Sequence, residues 1–410
     1  MTGQAAAVQW TPRRIGVRAV VVAGIYLVTA LAVAGVIFAM RRVGAPSLLQ
    51  SVLSVFLIAS LSAGLEPGTV KAEVLGGGLG RLRATALAPL LITGALKGLV
   101  ASVPLALVWR VADPKLAPTV LAWTPLMTVA GFVATELRAL FDVEGRYALA
   151  IGLKQGSLAG GLALLAALMM AGVPLFWAVG LSSVARLVFA SAFAWSARRG
   201  TSGGLRVHIG RLLRDPRWLE LAGASAIAAT GGSMDRILGL RLLPADQYNA
   251  YFLAYEVLCR FWLITYLINP ILFARLAARQ SVAAFIRVAQ FFVVVAGTLL
   301  VAALALAVAF APALVDRLVG AQFGWGLVAL ALAVVITAFV QLRMAELQGG
   351  GATRRAALLT GACVAITAGV FLVMIHAFGA RGLLWGWLIK ATLELAAVTL
   401  LANVGRESRL

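Results

Sequence analysis

The stretch AAFIRVAQFFVVVAGTLLVAALALAVAFAP, residues 283–312, decides the fold of this chain. Beyond Arg287 near its start, it holds no charged residue. A helix needs about 20 apolar residues to cross the hydrocarbon core of a bilayer, so this run is predicted to span a membrane. The whole chain agrees, because 62% of its 410 residues are hydrophobic and only 12% are charged. Soluble domains carry about 25% charged residues.

Similar apolar runs recur along the chain and predict an all-α integral membrane protein with about twelve transmembrane helices. Spans of this kind, divided equally by one basic connection, predict two six-helix lobes around a central cavity. The predicted spans are residues 17–40, 47–65, 84–109, 118–141, 148–171, 174–197, 219–243, 248–274, 283–312, 324–346, 356–378 and 382–403.

The distribution of Lys and Arg predicts the orientation of these spans. Cytoplasmic loops are enriched in basic residues. With the N-terminus placed inside, most of the 35 Lys and Arg residues fall on the cytoplasmic side, and both termini are predicted to be cytoplasmic. The net charge of +20 then reflects loop bias and contact with anionic membrane lipids, and no nucleic-acid partner is expected. Tryptophans near the span ends, Trp387 among them, indicate an aromatic belt at the interfaces.

A basic connection at 198–217 divides the chain into an N-terminal lobe, 1–197, and a C-terminal lobe, 218–410. Transporters built from internal repeats show this kind of division. Residues 136–139 at the end of span four (ELRA) resemble residues 341–344 at the end of span ten (QLRM). Either the lobes are repeats in parallel orientation, or these two arginine-tipped segments are similar by chance.

Several classes of function are disfavoured by what the chain contains. The predicted outward loops are too short for a soluble catalytic domain, and no Gly-rich phosphate loop precedes a Lys-Ser/Thr pair. His208 and His376 are far apart in the sequence, and Cys259 and Cys363 lie within apolar runs. We therefore expect no catalytic residue, no metal site and no cofactor, and we do not expect an enzyme.

Five basic residues lie inside predicted spans and are the main functional signal. A cation in hydrocarbon costs roughly 2.5–3.5 kcal/mol on insertion scales, and such residues usually face a bundle interior or a wet cavity. Together they predict an anionic substrate that crosses the membrane. The five candidate substrate-binding cations are Lys97, Arg186, Arg236, Arg260 and Lys390.

The surroundings of these cations in sequence separate them. Lys97 and Arg186 have no acidic residue within one helical turn, so each needs a partner on another helix, cavity water or a substrate anion. Glu256 precedes Arg260 by four residues, and Glu394 follows Lys390 by four. Both pairs could neutralise themselves as i,i+4 ion pairs. Alternatively, Glu256 and Glu394 are ion-coupling residues that exchange a proton or bind a small cation.

Spans seven and eight carry a second cluster of candidate residues. Asp235 and Arg236 follow residues 231–233 (GGS), where two glycines loosen the helix and favour either close packing or a hinge. Adjacent residues point about 100° apart, so this pair is predicted not to share one face; Asp235 is a further ion-coupling candidate. Tyr251 and Tyr255 belong to an aromatic stripe that either stacks on substrate sugar rings or packs between helices.

Spans seven and eight also carry a family resemblance. The segments 234–240 (MDRILGL), 243–245 (LPA) and 248–255 (YNAYFLAY), together with 145–147 (GRY), resemble polysaccharide transporters. This family comprises the O-antigen (Wzx-type) flippases of the multidrug/oligosaccharidyl-lipid/polysaccharide exporter (MOP) superfamily. The turn after span one lacks the aromatic residue that often follows there in the family.

The resemblance implies export of a lipid-linked oligosaccharide across the bacterial inner membrane by alternating access of two lobes. The implied carrier is undecaprenyl pyrophosphate, whose pyrophosphate anion the in-span cations would accommodate. A polysaccharide polymerase and a chain-length regulator are the expected protein partners.

Three other functions compete with this one. A cation-coupled multidrug exporter of the same superfamily usually relies on an acidic site in the first lobe, and span one, 17–40, has no acid. A membrane-embedded polysaccharide polymerase or ligase would need a sizeable outward loop. A non-transporting scaffold would have no use for in-span charges.

Overall fold

The structure is a computed structural model of the chain. It describes residues 31–65 apart from 38 and 41–45, then 70–72, 87–112, 117–144, 146–197, 217–262, 281–319, 323–349 and 353–407. A few single residues near 24–28 and between 265 and 276 are also described. Half of predicted span one, residues 198–216 of the basic connection and about half of the residues in the second half of span eight lie outside the described residues.

The described part of the chain is helical and contains no β-strand, which confirms the predicted all-α fold. Its helices are α1 Pro46–Gly64, α2 Leu87–Ala112, α3 Ala117–Val143, α4 Tyr147–Met170, α5 Leu175–Ala197, α6 Arg217–Gly231, α7 Met234–Leu242, α8 Ala245–Leu258, α9 Ala283–Phe310, α10 Pro312–Val319, α11 Gly326–Gly349, α12 Thr353–Phe378 and α13 Ala380–Glu407. The 3₁₀ turn Cys259–Trp262 follows α8.

Seven of the described helices are long and apolar enough to cross a membrane. The most apolar is α9, which contains most of the stretch 283–312, and only 11% of its most apolar 18-residue segment is buried inside the protein. An apolar helix with so little protein contact is covered by lipid. The chain is therefore a multi-pass membrane protein. The seven segments are Leu87–Leu107, Tyr147–Met170, Leu175–Ser196, Ala283–Phe310, Gly326–Gly349, Arg354–Phe378 and Ala380–Leu400.

Two predicted spans are not continuous helices. Span seven is divided into α6 and α7 at Gly232 and Ser233, because two glycines in a row weaken a helix interior. Span eight begins as α8 and then tightens into the 3₁₀ turn, where the Trp262 indole N–H donates to the carbonyl of Val334 on α11 at 2.9 Å. This bond to another helix accompanies the change in helix type.

The chain forms two compact units. Unit 1 comprises residues 1–36 and 58–222, and unit 2 comprises residues 37–57 and 223–410. The lobe boundaries, the central cavity and the homology of the lobes remain predictions.

Unit 1 contains α2 to α5, which pack through glycines. A Cβ on Gly98 of α2 would lie 2.8 Å from the Cα of Val129 on α3, and one on Gly131 would lie 2.7 Å from Cβ of Ser62. Backbones this close leave no room for a side chain. An apolar cluster that includes Leu137, Phe141 and Leu153 fills the space between α3, α4 and α5.

Unit 2 contains α9 and α11 to α13, and the same kinds of helix pair recur there. The first long helix packs on the second, the second on the fourth and the third on the fourth, as in unit 1. Gly297 of α9 packs against Val335, and Gly326 of α11 packs against Leu384. An internal repeat would produce this pattern.

Candidate functional site

The predicted site residues divide between the two units. Lys97 and Arg186 lie in unit 1. The other eight lie in unit 2, where the structure brings most of them together around one tryptophan, Trp387. These eight are Asp235, Arg236, Tyr251, Tyr255, Glu256, Arg260, Lys390 and Glu394.

Asp235 of α7 is a fully buried carboxylate held by two donors. The hydroxyl of Tyr251 on α8 and the indole N–H of Trp387 on α13 both donate to its Oδ2, the latter at 3.1 Å. The same indole nitrogen lies 2.9 Å from the Tyr251 hydroxyl oxygen. Hydrogen bonds to an ionised acceptor are about twice as strong as neutral ones. Asp235 therefore ties α7, α8 and α13 together.

Arg236 lies at the break between α6 and α7 and uses the groups that the break releases. Its Nη2 donates to the Ser233 hydroxyl at 2.8 Å and to the Gly232 carbonyl at 3.1 Å. Its Nη1 lies 3.6 Å from Oε1 of Glu256, and the guanidinium stacks 4.4 Å from the ring centroid of Tyr255. The broken helix thus creates the acceptors that a buried guanidinium needs.

The sequence predicts that Asp235 and Arg236 do not share one helix face, but in the structure their side chains come close to each other. Nε of Arg236 lies 3.9 Å from Oδ1 of Asp235, at the limit of an ion pair. The long arginine side chain bends back far enough to reach its neighbour, although the two Cα–Cβ bonds diverge.

The two predicted i,i+4 ion pairs are confirmed. Arg260 contacts Glu256 at 2.8 Å, and Lys390 contacts Glu394 at 3.0 Å. The ammonium of Lys390 also lies 4.3 Å from the ring centroid of Trp387. Each described cation of this cluster therefore has a carboxylate partner. That these residues bind substrate or couple ions remains a prediction.

Aromatic rings form the apolar part of the cluster. Trp387 packs against Tyr255 at 5.4 Å, Trp262 at 5.9 Å and Phe371 at 5.9 Å between ring centroids. Trp387 and Tyr251 are 0% exposed, and Tyr255 is 3% exposed. The rings contact one another in this structure, which is the helix-packing alternative from the sequence.

In unit 1, Lys97 of α2 is 7% exposed, and its ammonium lies 3.9 Å from the ring centroid of Trp218 on α6. Glu136 of α3, which is 1% exposed, lies within electrostatic range of it. The sequence leaves three kinds of partner open for Lys97: a residue on another helix, cavity water or a substrate anion. Trp218 and Glu136 are partners of the first kind.

Arg186 of α5 differs from Arg236, Arg260 and Lys390, which each have a carboxylate partner. It is 4% exposed, and its Cγ and Cδ pack on the backbone of Gly161 on α4, where an added Cβ would lie 2.5 Å from Cδ. Among the described residues, no hydrogen-bond acceptor reaches its Nε or Nη2, and no carboxylate forms an ion pair with it. Leaving buried donors unsatisfied costs about 1–3 kcal/mol, and more for a charged group.

Helices α5 and α13 differ in whether their buried cation has an acidic residue one turn away. Arg186 and Lys390 both lie about three turns into the fourth long helix of their units. One turn after Lys390 comes its partner Glu394, whereas one turn after Arg186 comes Ala190, a fully buried methyl group. The cation is present in both helices, and the carboxylate only in α13.

Sequence reasoning missed Trp387 and Trp218 as partners of charged groups. Trp387 was assigned to the aromatic belt, and that interpretation is wrong, because the side chain is fully buried against Asp235. Its i,i+3 spacing to Lys390 was the local signal that could have placed it beside the cation. Trp218 is distant from Lys97 in sequence and left no such signal.

No protein-family model and no curated protein sequence matches the chain. Solved structures do match along almost its whole length. The bent form of the Vibrio cholerae MATE transporter VcmN is 14% identical, with 97% of each chain covered and a TM-score of 0.68. An outward-facing multidrug resistance MATE family transporter of the MOP superfamily is 15% identical over 98% of this chain and 97% of its own, with a TM-score of 0.61.

A third match is a MOP superfamily transporter from Pyrococcus furiosus, described as having a binding pocket of reverse polarity. It is 15% identical, with 95% of this chain and 94% of its own covered and a TM-score of 0.62. Identities this low establish architecture alone. The chain has the fold of the MATE transporters of the MOP superfamily.

Proposed function

We propose that this protein is an alternating-access transporter that moves a lipid-linked oligosaccharide, carried on undecaprenyl pyrophosphate, across the bacterial inner membrane. The transporter part of the proposal is supported by the fold, since solved structures of the same fold are transporters in outward-facing and inward-facing conformations. The substrate part is supported by the family-like segments in spans seven and eight and by the buried cations.

The single observation that carries the substrate class is the state of Arg186. A buried guanidinium with two unsatisfied nitrogens destabilises the protein unless something compensates its charge. A pyrophosphate group entering unit 1 would supply acceptors and negative charge at once. Binding of an anion would therefore recover the stabilisation that the buried guanidinium of Arg186 lacks in the unliganded protein.

In this proposal the charges of unit 2 act with the substrate in a different way. Arg236, Arg260 and Lys390 already have carboxylate partners. They bind the anion only by exchanging those partners for it, which would free Glu256 and Glu394 to take up a proton or a small cation. Tyr251 and Tyr255 would contact sugar rings only after the aromatic cluster opens.

The pocket polarity described for the Pyrococcus furiosus transporter is a precedent within this fold. Its binding pocket is described as having reverse polarity, which suggests a different function for that transporter. An unneutralised arginine in unit 1 fits that kind of variation.

A cation-coupled multidrug exporter is the second candidate, and two observations favour it. The matched solved structures include multidrug resistance transporters. In addition, unit 1 contains a buried carboxylate, Glu136, although the acid expected in span one is absent. Against this candidate, an organic cation near Arg186 would meet a like charge in a medium of low dielectric constant.

Transport by purified protein in proteoliposomes distinguishes these candidates. We expect wild-type protein to flip a fluorescent oligosaccharide linked to undecaprenyl pyrophosphate and to leave a lipophilic cation such as ethidium untouched. Arg186→Gln should abolish flipping, whereas Arg343→Gln, which breaks a half-exposed pair with Glu346, should flip normally. Ethidium efflux that survives Arg186→Gln, without glycolipid flipping, would instead support the multidrug exporter.

The same variants can be tested in cells that lack the gene. Loss of surface polysaccharide with Arg186→Gln, at a normal level of folded membrane protein, is the expected result. Co-purification with a polysaccharide polymerase and a chain-length regulator would support the partners proposed for this pathway.

A further inference from the structure

Ser157 of α4 is an exception among the buried hydroxyls of unit 1. A helical serine or threonine normally donates to a carbonyl one turn earlier, and several other buried hydroxyls among the described residues of unit 1 do so. Examples are Ser62, Thr93, Thr128, Thr135, Ser182 and Ser183. The Ser157 side chain is 2% exposed, yet its Oγ has no hydrogen-bond partner among the described residues.

The packing of α4 against α5 places Ser157 near Arg186. The two helices run antiparallel, since Gly156 lies against Phe189 and Gly161 lies against Arg186. Ser157 is one turn before Gly161, and residues four apart lie on the same helix face. The Ser157 hydroxyl and the guanidinium of Arg186 therefore lie about one helical turn apart where α4 packs on α5. Both side chains are more than nine-tenths buried, and Ser157 Oγ and Arg186 Nε and Nη2 have no hydrogen-bond partner among the described residues.

We infer that Arg186 and Ser157 form a binding site for a single phosphate group inside unit 1. The inference rests on the proposed function and specifies which residues hold the anion and through which atoms. Nε and Nη2 present two parallel N–H bonds, a fork that matches two oxygens of a tetrahedral oxyanion. The Ser157 hydroxyl donates to a third oxygen.

The fork selects the class of anion. A chloride ion offers one acceptor atom and cannot satisfy two nitrogens and a hydroxyl with separate, well-directed bonds. A phosphate group has several oxygens at the right spacing. The phosphate belongs either to the headgroup of a pyrophosphate-linked lipid or to free inorganic pyrophosphate, and the experiment below separates these two sources.

Gly161 is the third part of the site, because it sets the position of the fork. The Arg186 side chain lies directly on its backbone, and a methyl group there would push Cγ and Cδ away. Gly161→Ala therefore moves the guanidinium without removing its charge. Arg186→Lys keeps the charge in place but replaces the fork with a single ammonium.

The test is binding to purified protein in nanodiscs of neutral lipid, measured by calorimetry with inorganic pyrophosphate and, separately, with undecaprenyl pyrophosphate. Ser157→Ala should weaken binding at least about tenfold, the effect of one hydrogen bond to a charged group. Gly161→Ala and Arg186→Lys should weaken it by a similar factor or more. Thr128→Val, which removes a hydroxyl bonded within its own helix, should bind as wild type does. Sulfate should compete with the probe, and chloride should not.

The outcomes separate this inference from the proposed function. Unchanged binding by Ser157→Ala and Gly161→Ala, with flipping still abolished by Arg186→Gln, would overturn the phosphate site and leave the transporter proposal standing. Binding of free pyrophosphate alone would support the site and contradict a lipid-linked substrate. No binding of either probe by the wild type would overturn the site. If Ser157→Ala does not fold, Ser157→Cys, which keeps the size and weakens the donor, gives the same test.

Discussion

Placing a carboxylate beside Arg186 should stabilise the protein and reduce transport. Ser182 lies one turn before Arg186 on α5, is 4% exposed and donates to the Val179 carbonyl at 3.0 Å. Ser182→Asp puts an acid at i,i+4 before the arginine, the favourable order for a helical ion pair. The pair formed by Glu256 and Arg260 in unit 2 has the same order and a contact of 2.8 Å.

The magnitude follows from the contact that the new carboxylate would make. A hydrogen bond to a charged group contributes about 1.5–3 kcal/mol. An anionic substrate must displace that bond before it can bind Arg186. We therefore expect Ser182→Asp to weaken substrate binding roughly 10- to 150-fold and to reduce flipping correspondingly at limiting substrate.

Ser182→Asn is the matched control, because it has nearly the same shape and no charge. Flipping of the fluorescent glycolipid in proteoliposomes should be strongly reduced in the aspartate variant and only mildly in the asparagine variant. Thermal stability in detergent should run in the opposite order, since the aspartate satisfies a buried cation. Equal transport by the two variants would refute the proposal that Arg186 binds the anionic group of the substrate.

The remaining predictions concern helix packing, the buried carboxylate of Asp235 and ion coupling by Glu394. Gly98→Ala should destabilise the protein by about 1–3 kcal/mol through overpacking, whereas Gly361→Ala, whose Cβ would meet open space, should be neutral in the same thermal assay. Trp387→Phe should lower thermal stability by about 1–3 kcal/mol, because it removes a donor from the buried carboxylate of Asp235. Glu394→Gln should abolish the dependence of flipping on an imposed proton or sodium gradient, and an unchanged dependence would exclude Glu394 from coupling.

Local sequence signals predicted part of the fold and of the candidate site. The length of an apolar run decides whether a helix can span the membrane, so α9 was found directly. The spacing of four residues decides whether two side chains on one helix meet. For that reason the pairs Glu256–Arg260 and Lys390–Glu394 were identified without a structure.

Contacts between distant residues could not be obtained in this way. Trp387 reaches Asp235 across 152 residues of sequence, and no periodicity within one helix encodes that bond. A tryptophan near a span end suits an interface equally well, so its burial was unpredictable. The division of span seven was signalled by two glycines, but the use of the Gly232 carbonyl by Arg236 depends on the third dimension.

The balance of charge within each unit is the strongest argument for an anionic substrate. In unit 2, each described in-span cation has a carboxylate within about 4 Å, so the sequence supplies partners for these cations. In unit 1, the position one turn after Arg186 holds a methyl group and the position one turn before holds a serine that bonds its own backbone. Substitution of either position by an acidic residue would remove a destabilisation on the order of a kcal/mol from the buried charge of Arg186. We therefore propose that the charge of Arg186 is compensated by a bound ligand and that this ligand is an anion.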